Sequence, residues 1–389
     1  MPDCDGKPFM TGKAEFISDL SIVILQPTVP SYRRGFFGRL AERLGPDFTV
    51  YASAQDMGVL SERRARPAWE RPLGAMRRLL PGLEWQAGVL SIPIARDDVV
   101  VVSGAPRCLS NIALLLKAKW KGARTIWWGH YWSSTSRPWR AELRMLLMRL
   151  SDAVLFYTDR EVDEYLAGKT FAPKPASALN NGIETEEIIR LRRPYDPSSR
   201  PRDLLFVGRL TAKANLALLL EALALPDCAG VRLDIIGDGE EEPRLRERCE
   251  ALGIAGRVAW HGGIVDESRI AEVANGCKAF VYPGSVGLSL VHGLAYGLPA
   301  LVHDDRWRHM PEIAAFEAGR NGMAFARDNA GSLAKSIGAI FADDERLVAM
   351  SAAAISTTSD TFNTADMAER FCHFVGKVKR GGDVSRVAP

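Results

Sequence analysis

The sequence has no Cys-x-x-Cys pair and no histidine at zinc-finger spacing; its six cysteines (Cys4, Cys108, Cys228, Cys249, Cys277 and Cys372) are scattered along the chain. That spacing argues against a zinc ribbon, and the thiols are expected to be reduced, in a reducing compartment. No apolar run reaches the roughly 18 residues that span a bilayer. The opening MPDCDGKPFMTGKAEF has no apolar stretch ahead of a small-residue cleavage site, so a secretory leader is not expected. The expected location is cytoplasmic, with peripheral contact to the inner membrane face left open. A formal charge of +3 is too small to hold nucleic acid by bulk electrostatics. There is no phosphate loop ending in Gly-Lys-Ser/Thr, no Gly-x-Ser-x-Gly and no His-Glu-x-x-His. The sole Asp-x-Asp, Asp3-Cys4-Asp5, sits in a polar tail and follows no strand, so no metal site and no cofactor are expected.

What the chain does have is ordinary globular material, 389 residues with 47% hydrophobic and 25% charged content, more than one core usually serves. After a tail over residues 1–16, the apolar run Ser21-Ile-Val-Ile-Leu25 is followed by helical periodicity from Gly35 to Leu44. The alternation recurs at 98–102 then 108–119, 124–128 then 139–150, and 153–157 then 159–166. Asn-Gly, Arg-Pro and Pro-Ser-Ser-Arg-Pro between 180 and 201 read as a linker. A second series of strands and helices follows from Asp203 to Val302, and 362–379 reads as a closing amphipathic helix. Near-continuous apolar strands alternating with helices imply parallel sheets covered on both faces. The division expected is 17–190, 191–360 and a C-terminal helix within 361–389 that packs back on the first domain. Two doubly wound α/β domains place a cleft between two sets of strand carboxyl ends, where open sheets bind ligands.

The segment Val281-Tyr-Pro-Gly-Ser-Val-Gly-Leu-Ser-Leu-Val-His292 runs from a strand end through a glycine turn into a helix. The turn contains Pro283, Gly284 and Gly287 and enters a helix near Leu288; its free backbone N–H groups, backed by the helix dipole, suit a phosphate, which Gly287 would let approach closely. His292 lies one turn further on. A plain strand-to-helix connection is the alternative reading of such a turn.

This segment resembles the donor-binding motif of glycosyltransferase family four. The resemblance extends over most of the chain and is strongest from Asp203 to Phe325. It is carried also by Leu205-Phe-Val-Gly-Arg-Leu210, Asp234-Ile-Ile-Gly-Asp-Gly239, His261-Gly-Gly263 and His309-Met-Pro-Glu312 with Asn321-Gly322, in the family's order. It implies a GT-B fold of two facing Rossmann-like domains, and metal-independent retaining transfer of a sugar from a nucleotide-sugar donor to a saccharide or lipid-linked saccharide. Surface polysaccharide or lipopolysaccharide synthesis is the implied setting. By the same resemblance, Arg209 neutralises the departing diphosphate; counted back from Glu221, the place of the lysine that assists it in relatives falls on Ala214, and the adjacent Lys213 is the candidate for that role. Gly284, Val286, Gly287, Leu288, Ser289, His292 and Gly237 contact the donor, and His130, ending Trp127-Trp-Gly-His130, reaches the donor sugar from across the cleft. Tyr32 and Arg33, in the loop Pro27-Thr-Val-Pro-Ser-Tyr-Arg-Arg34, serve the acceptor or the donor phosphates.

The chain departs from the family at its two motif glutamates, whose places hold Gly284 and His292. Two other readings therefore remain: a catalytically silent GT-B protein that binds a nucleotide-sugar or scaffolds polysaccharide assembly, and a nucleotide-sugar epimerase, which needs paired cleft carboxylates. Finally, six arginines and two glutamates between Glu62 and Arg78, and Arg137, Arg140 and Arg144 beside Trp132 and Trp139, form basic amphipathic stretches suited to an anionic membrane surface or to simple solvation.

Overall fold

The computed structural model describes residues 21–53, 66–131, 138–168 and 172–381, with the backbone alone at 138–140. The first half holds β1 (Ile22–Leu25), α1 (Ser31–Leu44), β2 (Phe48–Ser53), β3 (Glu70–Leu73), β4 (Met76–Leu80), β5 (Leu83–Gln86), β6 (Val99–Ser103), α2 (Leu109–Lys121), β7 (Arg124–Trp128), α3 (Pro138–Met148), β8 (Ala153–Phe156), α4 (Asp159–Ala167) and β9 (Ala176–Ala178). Seven of these strands form a parallel sheet in the order β3-β2-β1-β6-β7-β8-β9, and β4 and β5 make a separate antiparallel hairpin. Val99 to Val102 are fully buried, because helices cover both faces and every side chain of a central strand meets apolar neighbours.

After α5 (Glu186–Leu191) the second half follows as β10 (Arg202–Val207), α6 (Leu216–Leu223), β11 (Leu233–Ile236), α7 (Glu242–Ala251), β12 (Val258–Trp260), α8 (Glu267–Ala274), β13 (Cys277–Tyr282), α9 (Leu288–Ala295), β14 (Ala300–His303), β15 (Gly322–Phe325), α10 (Ala330–Phe341), α11 (Asp344–Asp360) and α12 (Thr364–Arg380). Its sheet is parallel too, in the order β12-β11-β10-β13-β14-β15. Ile188 of α5 and Phe362, just before α12, belong to this second core. By contrast, Phe371, Phe374 and Val375 of α12 bury against Phe36 and Phe37 of α1 in the first. The chain thus crosses between domains twice, and the crossings lie side by side: the Ile183 amide donates to the Phe362 carbonyl (3.4 Å) and the Thr364 amide to the Ile183 carbonyl (3.0 Å).

Each sheet reverses its winding once, between β1 and β6 in the first domain and between β10 and β13 in the second. The crevice at the carboxyl ends of such a strand pair is where this architecture binds ligands. Among the described residues no helix is long and apolar enough to cross a membrane, and Cys108, Cys228, Cys249, Cys277 and Cys372 are free thiols.

Candidate functional site between the two switch points

At the reversal of the second sheet, β10 delivers Gly208-Arg209 and β13 delivers the turn Pro283 to Gly287. Arg209 and Lys213 are exposed, and neither has a carboxylate partner among the described residues. Lys213 is tied to the turn through its carbonyl, which accepts from the Ser285 amide at 3.0 Å. Ala214, its neighbour in sequence, is fully buried, so Lys213 is the side chain that this loop offers to solvent. The amides of Gly287, Leu288 and Ser289 open α9 with no acceptor among the described residues. Together these groups form a cationic, amide-lined mouth of the kind that receives phosphate.

Several residues expected to touch a donor have other employment. The Val286 amide donates to Nδ1 of His309 (3.2 Å), whose Nε2 donates in turn to the His303 carbonyl (2.9 Å). Burial lowers the His309 pKa to about 4, so the ring stays neutral, with Nδ1 as the acceptor that this bond requires. Val286 therefore holds the turn in shape and has no amide to give a phosphate. Gly284 is buried, and a side chain there would start 2.6 Å from the Ala214 carbonyl carbon and within the shell of the Lys213 carbonyl oxygen. Gly237 has a φ of +151° and lies directly on the Gly208 carbonyl, so it sets the spacing of the β10 and β11 ends through its backbone.

The His292 imidazole points to α8, where Nε2 meets Oε1 of Glu267 at 2.9 Å. The Tyr296 hydroxyl donates to the same oxygen at 2.5 Å. A carboxylate therefore does stand beside position 292, supplied from a different helix. Sequence pattern could not pair these residues, because 25 positions separate Glu267 from His292.

On the opposite wall, His130 lies two residues past the end of β7, and its ring lies against Tyr157 (centroids 4.3 Å apart). Burial against these neighbours, with the charges of Arg144 and Arg33, lowers its pKa to about 4. A neutral imidazole with 39% of its side chain exposed can accept or donate a hydrogen bond to a hydroxyl. Behind it, Glu161 closes a capping box with Thr158 at the start of α4 and accepts from the amides of Tyr131 (3.0 Å), Tyr157 (3.1 Å) and Thr158 (3.2 Å). Burial outweighs these amides and raises its pKa from 4.5 to about 7.

That shift carries a testable sign. Between about pH 4.5 and 7 the unfolded chain releases the Glu161 proton while the native protein retains it, so this residue's contribution to stability declines as pH rises, by roughly 3 kcal/mol in all. Glu161→Gln keeps a capping box and should flatten the stability slope in urea titrations between pH 5 and 7.5. An unchanged slope would show that Glu161 titrates normally.

Glu312, in the 3-10 segment Pro311–Ala315 of the second domain, is buried and reaches the first domain by accepting from the Asn181 amide group. Burial raises its pKa as well. Its other oxygen, Oε2, has no hydrogen-bond partner among the described residues and lies 3.5 Å from where a Gly287 side chain would begin. A second link between the domains pairs Arg306 with Glu164 of α4. Sequence reading placed Glu312 only inside a motif and overlooked Glu161. The signal available for Glu161 was the spacing Thr158-x-x-Glu161, a capping box.

Tyr32 and Arg33 open α1 at the reversal of the first sheet, and they differ sharply. Tyr32 is 46% exposed and Arg33 is 7% exposed. Together with Gln26, Thr28, Trp128 and Tyr157 they line a cavity of about 230 Å³. A wider groove of about 570 Å³ between α6 and α7 is lined by the second domain alone. Arg144 is a correction to the basic face expected on α3: it is buried and donates to the Tyr131 carbonyl at 3.1 Å, so it serves the His130 neighbourhood and not a membrane. Trp132 and Arg137 lie outside the described residues, as do the side chains of Trp139 and Arg140, Glu62 to Ala65 of the other basic stretch and the Asp3-Cys4-Asp5 tail. Among the described residues no three His, Cys, Asp or Glu side chains are grouped to hold a metal ion.

Residues 187–357 match the family model described as "Glycosyl transferases group 1". The chain is 31% identical over 181 residues to a glycogen synthase of Alkalilimnicola ehrlichii, a match covering 45% of this chain and 37% of that protein. It thus spans little more than a third of that relative's length. HepE of Anabaena, solved in complex with UDP, superposes with a TM-score of 0.66 at 14% identity, over 92% of this chain and 100% of that one. A glycosyltransferase from Rickettsia africae superposes with a TM-score of 0.67 at 12% identity, over 94% of this chain and 100% of that one. At these identities the superpositions show the fold alone, and that fold is GT-B.

Proposed function

We propose that this protein is a metal-independent retaining glycosyltransferase, a reading supported by the match of residues 187–357 to the group 1 glycosyltransferase model and by the GT-B fold. It would move a sugar from a nucleotide-sugar to a saccharide or lipid-linked saccharide in surface polysaccharide synthesis. The observation that carries the reading is the pair of unpartnered cations, Arg209 and Lys213, at the turn whose Gly287, Leu288 and Ser289 amides are free. There they balance the charge that builds on a departing diphosphate. The acceptor hydroxyl attacks the anomeric carbon on the face the diphosphate leaves. One C–O bond forms as the other breaks, and the acceptor proton passes to the departing phosphate oxygen. His130, neutral and across the cleft, orients a sugar hydroxyl.

A thermal-shift panel of nucleotide-sugars tests this, since ligand at 100 times its Kd stabilises by about 2.7 kcal/mol. One donor should raise the melting temperature and be turned over with its anomeric configuration kept, as read by NMR of the product. No binding by any member would overturn the reading. Binding without turnover would favour the silent alternative, which draws on the missing carboxylates at 284 and 292. Epimerisation would draw on two buried carboxyl groups, Glu161 of the first domain and Glu312 of the second. Both Glu161 oxygens are held by backbone amides, however, so only Glu312 is left to exchange a proton.

Peripheral docking on an anionic membrane is part of the proposal. The support is the β4–β5 hairpin, where Arg77 and Arg78 adjoin Leu79 and Leu80, 52% and 61% exposed.

A further inference from the structure

The cavity at the first domain's reversal point has one charged residue in its lining, Arg33, and no carboxylate. The Arg33 guanidinium is enclosed by rings, with Trp128 at 5.3 Å, Tyr157 at 5.6 Å and Tyr32 at 5.6 Å from its central carbon. It has no ion pair and donates no hydrogen bond among the described residues, and Nη1 is buried without an acceptor. Trp128, 3% exposed and lining the same cavity, also has its indole N–H buried without an acceptor among the described residues.

Of the neighbouring carboxyl groups, Glu161 has both oxygens engaged by the Tyr131, Tyr157 and Thr158 amides, and Glu312, with Oε1 held by Asn181, acts on Arg33 through space without forming an ion pair with it among the described residues. Burying a cation and a second donor without acceptors is costly unless a ligand completes them. The rings at the wall match the apolar C–H faces of a pyranose. The volume is below the roughly 300 Å³ at which sites for larger ligands begin, so it suits a single sugar residue.

We infer that this cavity is a subsite for an anionic sugar, in which Arg33 and the Trp128 indole receive a carboxylate or phosphate carried by the acceptor. Its place on the acceptor rests on the transferase reading; the anion site itself does not. A uronic acid and a sugar phosphate present the same chemistry, a planar or tetrahedral oxyanion within reach of a guanidinium.

The test titrates the full chain, by ligand-observed NMR at low ionic strength, with D-glucuronate, glucose 1-phosphate and glucose, and with UDP and GDP in parallel. At least one anionic sugar should bind about tenfold or more tightly than glucose, and which of the two does so identifies the source. Arg33→Gln should abolish the preference, Arg33→Lys should keep part of it, and nucleotide affinity should change less than about twofold. Thr28→Glu, which leaves Arg33 in place and adds a negative charge to the wall, should abolish the preference as well; it serves if Arg33→Gln does not fold. Equal binding of all three sugars, no binding of any, or a preference that survives both variants would overturn the inference. So would loss of UDP or GDP affinity in Arg33→Gln, which would make Arg33 a ligand of the donor phosphates. If no member of the nucleotide-sugar panel binds but the anion preference holds, the transferase reading falls and the anion site stands.

Discussion

Arg209→Ala is expected to reduce turnover about 10²–10³-fold while leaving KM for the donor within a few-fold. In the proposed transfer, charge on the nucleoside diphosphate grows as the glycosidic bond breaks, so a fixed cation there stabilises the transition state more than the bound donor. Arg209 suits that work because it lies two residues past β10, at the sheet's reversal point, and pairs with no carboxylate among the described residues. Lys213→Ala should cost less, about tenfold, because a flexible ammonium positions a diphosphate less firmly than a guanidinium fork. Arg209→Lys should retain part of the rate for the same reason. Nucleotide release under saturating donor measures all three. Turnover within twofold of the wild type for Arg209→Ala would remove Arg209 from the leaving-group site.

The second large effect is expected at Gly284. Placing the family's glutamate there should not restore a lost function but should break the turn. The backbone of Lys213 and Ala214 occupies the space a Cβ would need, and main chain cannot rotate aside as a flexible side chain can. Gly284→Ala is expected to cost about 2–3 kcal/mol, a fall in melting temperature of roughly 5–10 °C for a domain of this size. Gly284→Glu should cost more. Either change also strains the bond from the Ser285 amide to the Lys213 carbonyl, so nucleotide affinity should fall together with stability. A Gly284→Glu protein that melts within about 2 °C of the wild type would show that the loop has room for a carboxylate. The glycine would then be incidental.

These two positions show how legibility varied along the chain. The apolar runs of β1, β6, β7, β8, β10, β11 and β13 stand out because a strand buried on both faces must be apolar at nearly every residue. The glycine turn before α9 stands out because a strand end, small residues and a helix start occur within a few positions. Less visible were β2, β3 and the β4–β5 hairpin: Glu70-Arg-Pro-Leu73 at a sheet edge has only Glu70 and Leu73 buried, so it carries no long apolar signature. Arg144 read as part of a basic face by its spacing, yet the docking of α3 turns it inward to the Tyr131 carbonyl.

The sequence by itself determined two doubly wound domains, the glycine turn and the cations Arg209 and Lys213, because each is written in neighbouring residues governed by backbone periodicity and local turn chemistry. Only the tertiary structure decided which of these groups are free to act. It engaged the Val286 amide with His309, closed Gly284 against Lys213, set Glu267 beside His292, and enclosed Arg33 among three rings without an anion. Such pairings depend on where distant helices and strand ends dock. Docking follows from packing the whole core, and no window of neighbouring residues contains it.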